Sequence, residues 1–206
     1  MHIEGVTILD VWKKSVNFLL SKCELVPTDR NLDTYEFENV VLKVTKPLDG
    51  LNELFDFEKK RHKDYYSKVI KEYWDNIYKR LKKYMHSSRT SINQFDEIKS
   101  KLKSNPYTRH AYISIWSPFY DLKDQYPACL IGLYFVIRNE KLNMTAILRS
   151  NDSWGQALND MYELVMIQDK MAKELGIDIG IYSHFAMSYL LYTKDKVEAI
   201  MILKGK

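Results

Sequence analysis

Two side chains capable of acting together stand twenty residues apart in this chain: the thiol of Cys129 and the guanidinium of Arg149, with Ser150 directly after the arginine. Between them lie an apolar run, Cys129–Ile137, a polar turn, Arg138-Asn139-Glu140-Lys141, and a second apolar run, Leu142–Leu148. Two apolar runs of near-equal length about a short polar turn predict a β-hairpin. Such a hairpin returns Arg149 to the end of the sheet at which Cys129 starts. A thiolate beside an anion-binding arginine is a nucleophilic site. The plainer alternative is an inert core thiol and an ordinary surface arginine, and spacing by itself does not choose between them.

The elements that must hold these residues can be read from periodicity. Val11–Leu20 carries apolar residues at helical spacing, and Thr34–Val44 alternates and is rich in β-branched residues, a strand ended before Pro47. Leu51–Tyr84 reads as helical, in two helices, and Gln94–Leu102 continues that pattern until Asn105-Pro106 stops it. His110–Trp116 reads as a strand ahead of the hairpin. Trp154–Leu175 repeats Trp154, Leu158, Met161, Val165, Met171 and Leu175 along one helical face, with Asp152 and Ser153 as N-cap candidates and Gly176 as its stop. Ile179–Tyr192 reads as a strand, and a short helix closes the chain. Strands and helices do not strictly alternate, so the expected class is α+β: a single domain over residues 1–206 with a mixed β-sheet flanked by helices.

Composition narrows the classes. The 206 residues are 46% hydrophobic, 13% aromatic and 28% charged, with a formal net charge of +4, which suits one soluble domain with a real core. Basic residues gather at Lys59–Lys83, interleaved with Tyr65, Tyr66, Tyr73, Trp74 and Tyr78. Such a stretch can bind single-stranded nucleic acid. Here Glu58, Asp64, Glu72 and Asp75 dilute the charge, and the solvated face of an amphipathic helix is the preferred reading. No nucleic-acid or membrane partner is expected. Two cysteines, Cys23 and Cys129, make no disulfide framework, no Cys/His cluster has zinc spacing, and no metal is expected. The chain shows no signal peptide or membrane span, so a cytoplasmic enzyme with a free thiol is the expectation.

The order Thr108-Arg109-His110-Ala111, Trp116, Pro127-Ala128-Cys129, Arg149-Ser150-Asn151-Asp152 and Tyr192 resembles the thymidylate synthase family. The likeness is to its short archaeal-type members and to the related cytidylate and deoxycytidylate hydroxymethylases. Val11-Trp12, Thr28-Asp29-Arg30 and the strand Glu38–Val44 fit the opening of the family pattern. The resemblance spans about residues 8–195 and is specific from Arg109 to Asp160.

The resemblance implies a thymidylate synthase-like fold, a homodimer, and a one-carbon transferase acting on a pyrimidine nucleotide monophosphate with methylenetetrahydrofolate as cosubstrate. Cys129 would add to C6 of the ring, making C5 a carbon nucleophile toward the one-carbon unit; a thiolate suits because it adds to a soft conjugated carbon and leaves easily. Arg149 would serve both phosphate and thiolate, and Ser150 would bind the phosphate. Arg109 and His110 match a pair supplied by the partner subunit, with His110 where a second arginine is usual. Arg30 is a further phosphate candidate, Tyr192 a sugar contact, and Asp152 and Tyr126 would face the folate.

Base choice follows from the residue 31 positions after the nucleophile, Asp160. Thymidylate synthases carry an amide there, which donates and accepts to match uracil; a carboxylate only accepts, and so suits the amino group of cytosine. One deletion in the preceding turn would instead bring Asn159 into register as a uracil reader. A dipole-favoured surface aspartate is the plain alternative. A glutamate on the N-terminal helices organises water and proton transfers in the family, and Asn52-Glu53-Leu54-Phe55 points to Glu53, with Glu58 close behind.

Three departures bear on activity. Leu190 and Leu130 stand where histidines are usual, and few residues follow Tyr192, where the family's folate-covering tail would lie. The leading expectation is C5 hydroxymethylation of CMP or dCMP. The alternatives are methylation of dUMP to dTMP, and a relative that binds nucleotide or a partner without turnover.

Overall fold

A computed structural model describes residues 1–28, 32–61 and 93–205 of the chain, without the side chain of Tyr120. The basic and aromatic run beyond Arg61, the second half of the Leu51–Tyr84 helical stretch, and Arg30 lie outside the described residues. In chain order the elements are β1 (His2–Gly5), α1 (Ile8–Lys22), β2 (Leu25–Val26), β3 (Thr34–Val44), α2 (Leu51–Arg61), α3 (Gln94–Ser104), β4 (Tyr112–Ser114), α4 (Pro118–Asp121), β5 (Leu130–Arg138), β6 (Lys141–Asp152), α5 (Ala157–Leu175), β7 (Asp178–Tyr192) and α6 (Lys196–Leu203). The expected α+β class and mixed sheet flanked by helices are what the chain adopts.

The sheet runs β1-β3-β7-β6-β5-β4, with β2 added on β3. β1 with β3 and β6 with β7 pair in parallel, and the remaining pairs are antiparallel. Register explains the core. The row Phe135, Met144, Tyr182, Val44 and the row Leu148, Ala186, Val40 are fully or almost fully buried. The intervening row Ile147, Phe185, Val41 on the opposite face is only half-buried. Among the described residues, one face is therefore the deeply buried core face and the other is only half-buried.

Local chemistry sets the element ends. Thr7 caps α1 by accepting from the backbone N–H of Asp10 at 3.1 Å. Gly176 ends α5 in the left-handed conformation at φ 73°. The hairpin turn is tighter than the four polar residues suggest: Asn139 and Glu140 alone form it, at φ 49° and 59°. Two positive φ values match the right-handed strand twist.

Differences from the periodicity reading have physical causes. The helix expected from Trp154 begins at Ala157, and neither Asp152 nor Ser153 caps it. The Asp152 carboxylate instead accepts the N–H groups of Trp154 and Gly155, both at 3.0 Å, and holds a turn ahead of the helix. The strand His110–Trp116 shrinks to Tyr112–Ser114, an edge strand. β1, β2 and α4 are too short for periodicity to register.

Candidate active site

The hairpin does what its spacing implied. Leu130 pairs with Leu148, and the backbone N–H of Arg149 donates to the carbonyl of Cys129 at 2.7 Å. Across the two strands the Arg149 guanidinium reaches back, Nη2 lying 3.9 Å from Cys129 Sγ and 3.4 Å from the carbonyl of Pro127. Both side chains are exposed. Cys129 thus has solvent access and an adjacent fixed cation, the two conditions a reactive thiol needs. Cys23 contrasts with it: burial pushes its thiol up, away from thiolate.

Parallel pairing of β6 with β7 extends this end of the sheet. Ser150 pairs with Ser188 and Asp152 with Leu190, while Tyr192 closes β7 opposite Thr34. Ser188 donates to Glu36 Oε1 at 2.7 Å. The first turn of α5 is tied to the same strand end, because Asn151 Nδ2 donates to Asp160 Oδ2 at 2.7 Å. Asn159, beside it, is half-buried. Cys129, Arg149, Ser150, Asp152, Asp160 and Tyr192 therefore belong to one end of the molecule.

The floor of this end is aromatic and cationic. Trp12 Nε1 donates to the carbonyl of Ser153 at 2.6 Å, and its ring lies 5.4 Å from Trp154 and 5.3 Å from Phe57. Arg61 sits over both tryptophans, donates to the Trp154 carbonyl, and faces Glu58 through Nη2–Oε2 at 3.1 Å and Nε–Oε1 at 2.9 Å. The two charges are buried together.

Other sequence candidates lie elsewhere. Glu53 is exposed at the start of α2 near Thr7, eight residues or about 12 Å of helix from Arg61. Glu58, not Glu53, is at the Trp154 end. Arg109 and His110 are exposed just ahead of β4. The Ala111 carbonyl accepts from Phe135, six residues along β5 from Cys129, which puts the pair about 20 Å from the thiol of the same chain. Tyr126 is 74% exposed in the loop before Cys129.

The chemistry of Asp152 and Tyr126 fits what a folate would need, a carboxylate acceptor and an exposed aromatic ring. One carboxylate oxygen of Asp152 is spent on two backbone N–H groups, leaving the other for a ring donor, and a Cβ at residue 155 would stand 2.6 Å from that oxygen. Glycine at 155 keeps that approach open. Tyr126 offers an exposed ring to stack on.

Periodicity missed a buried chain behind Asp160. His184 Nε2 lies 3.0 Å from Asn151 Oδ1, and its Nδ1 lies 2.8 Å from the Tyr182 hydroxyl. His184 and Tyr182 are core-facing neighbours two apart on β7, so only a polar residue at a buried alternation position could have signalled them. By register His184 pairs with Ala146, five positions before Asn151. The 3.0 Å contact therefore joins side chains five positions apart along two paired strands. Among the described residues no group of three His, Cys, Asp or Glu side chains could hold a metal ion, and no helix is long and apolar enough to cross a membrane.

Comparison with known proteins supplies family membership. The family model described as thymidylate synthase matches residues 5–204. A protein named "Putative thymidylate synthase" from Methanocaldococcus jannaschii is 28% identical over 202 residues, covering 92% of this chain and 90% of its own. One of the same name from Methanosarcina mazei is 25% identical over 207 residues, covering 98% and 94%. A "Deoxyuridylate hydroxymethyltransferase" of Bacillus phage SP01 is 32% identical over 110 residues, half of this chain and 28% of that protein.

Proposed function

The chain belongs to the thymidylate synthase family, whose members are one-carbon transferases acting on pyrimidine nucleotides, and from that premise we propose that it hydroxymethylates C5 of a cytosine nucleotide 5′-monophosphate, CMP or dCMP. The observation that carries the base choice is Asp160, an acceptor-only carboxylate tied by Asn151 to the strand end that also bears Arg149. Cytosine presents an amino donor at its 4-position and uracil an oxygen, so a carboxylate there favours cytosine.

In this reading Cys129 adds through sulfur to C6, and the electron pair displaced from the ring double bond makes C5 the nucleophile. Arg149 stabilises the thiolate and, with Ser150, holds the phosphate. Methylenetetrahydrofolate, the cosubstrate the family uses, supplies the one-carbon unit, and Asp152 and Tyr126 are the residues that would hold it. Glu58 is the acid–base glutamate of the pair on α2, since it lies at the Trp154 end. Water rather than hydride completes the reaction, a reading to which the name of the phage relative lends support.

Arg109 completes a partner's site. Its separation from its own Cys129, together with the half-exposed sheet face bearing Ile147, Phe185 and Val41, supports a homodimer joined through that face.

A second reading is methylation of dUMP, favoured by Asn159 adjoining Asp160 and by the names of the archaeal relatives. Tritium release from 5-tritiated CMP, dCMP and dUMP with methylenetetrahydrofolate, followed by product mass, separates the two. Release from a cytosine nucleotide with a hydroxymethyl product is expected. Release only from dUMP with a methyl product would replace the first reading by the second, and no release from any would leave a binding protein.

A further inference from the structure

We infer that Asn151, backed by His184 and Tyr182, is the positioning residue that fixes Asp160 as an acceptor toward the base and so sets which pyrimidine the site reads. The inference rests on the base-reading role proposed for Asp160 and extends it to the residues that hold that side chain's polarity.

Donor and acceptor inventories leave one arrangement. A carboxylate only accepts, so the 2.7 Å bond is donated by Asn151 Nδ2. The amide then turns its oxygen to His184 Nε2, 3.0 Å away, and that nitrogen must carry the imidazole proton. Burial holds the His184 pKa down to about 3, so the ring is neutral near pH 7 and Nδ1 is bare. Nδ1 accepts from the Tyr182 hydroxyl at 2.8 Å, and burial keeps that hydroxyl protonated. Donation therefore runs in one direction, Tyr182 to His184 to Asn151 to Asp160.

The chain is sealed as well as directional. Asn151 is 3% exposed, and His184 and Tyr182 are fully buried. A single reversed member would face a buried donor with a donor or an acceptor with an acceptor, leaving buried polar groups unsatisfied. Reversal thus requires all members to turn together and Asp160 to take up a proton. Donation from Asn151 Nδ2 to Oδ2 favours the ionised, acceptor-only form of the Asp160 carboxylate, the form that suits a donor on the base. Cytosine's amino group supplies one; uracil's 4-oxygen does not.

The test compares wild type with Asn151→Leu, His184→Phe and His184→Gln. Glutamine keeps an N–H for Asn151 and a carbonyl for Tyr182. The readout is the ratio of kcat/KM for CMP or dCMP to that for UMP or dUMP, with KM and kcat resolved, and the ratio of Kd values where a nucleotide is bound without turnover. Asn151→Leu and His184→Phe are expected to lower the cytosine-to-uracil ratio about tenfold or more, through KM of the cytosine nucleotide more than through kcat. His184→Gln is expected to restore the ratio. Nitrogen-15 NMR of the wild type supplies a measurement that needs no variant to fold: His184 should be neutral with its proton on Nε2. A ratio unchanged in both disruptive variants, or a proton on Nδ1, overturns the inference. A wild-type preference for uracil would sink the cytosine reading alone, because the role of Asn151 is judged by the change in ratio between variants.

Discussion

Arg149 makes three contacts with one short segment, through its backbone to the Cys129 carbonyl and through its guanidinium to Pro127 and Cys129 Sγ. That dual anchorage suggests a cation positioned for both thiolate and phosphate. Substituting Arg149→Ala should raise KM for the nucleoside monophosphate about a hundredfold, a charge-assisted pair being worth roughly 1.5–3 kcal/mol. The binding penalty should vanish with the nucleoside, which lacks the phosphate; an equal penalty for both would place the phosphate elsewhere. His184 yields a prediction in pH. The unfolded side chain takes up a proton below about pH 6.5, whereas the folded one does not until about 3. Between those values the unfolded state binds the extra proton, so folding stability contributed by this group is intact above pH 6.5 and lost as pH falls, at about 1.4 kcal/mol per unit. Denaturant unfolding at pH 7.5 and 4.5 should show about 2–3 kcal/mol less loss in His184→Gln than in wild type.

At the scale of elements, the hairpin is the device that makes the site. Its two-residue turn fixes the register as far as Gly132↔Ile147, and a one-residue shift between Gly132 and Leu130 then brings Arg149 opposite Cys129; without that shift Ser150 would stand there instead. The turn is not optimised for its own stability, since Glu140 holds a left-handed φ of 59°. Glycine bears no Cβ penalty there. Glu140→Gly should raise stability by up to about 1 kcal/mol in denaturant unfolding, with kcat/KM unchanged, because the turn lies at the end of the sheet away from Cys129. A loss of activity would mean that strain in the turn is felt along both strands. The floor beneath the site depends on α1 and α2 instead. Trp12 joins them to the Ser153 carbonyl, and α2 carries Glu58 and Arg61 to that end.

For the whole molecule, the sheet has, among the described residues, a deeply buried core face and half-exposed apolar residues on the other, with Arg109 about 20 Å from its own thiol. The proposed homodimer, with a site shared across a two-fold axis, would account for both. Mixing inactive Cys129→Ala subunits with inactive Arg109→Ala subunits should then restore about a quarter of wild-type activity. Random exchange makes half of the dimers mixed, each with one intact site. No recovery after verified subunit exchange would confine Arg109 to its own chain.

The sequence by itself determined whatever depends on neighbours along the chain. Strand β3 occupies the range Thr34–Val44 that alternation marked, the hairpin returns Arg149 to Cys129, and Gly176 ends the long helix, because period and turn chemistry are local. It also pointed to Glu53, with Glu58 five residues on close behind, from a local motif alone. Only the tertiary structure separates their positions, placing Glu58 with Arg61 at the end of α2 that meets Trp154 and Glu53 at the other. The chain from Tyr182 through His184 and Asn151 to Asp160 was hidden for the same reason. It spans α5, β6 and β7, so its hydrogen bonds join residues that no spacing rule relates.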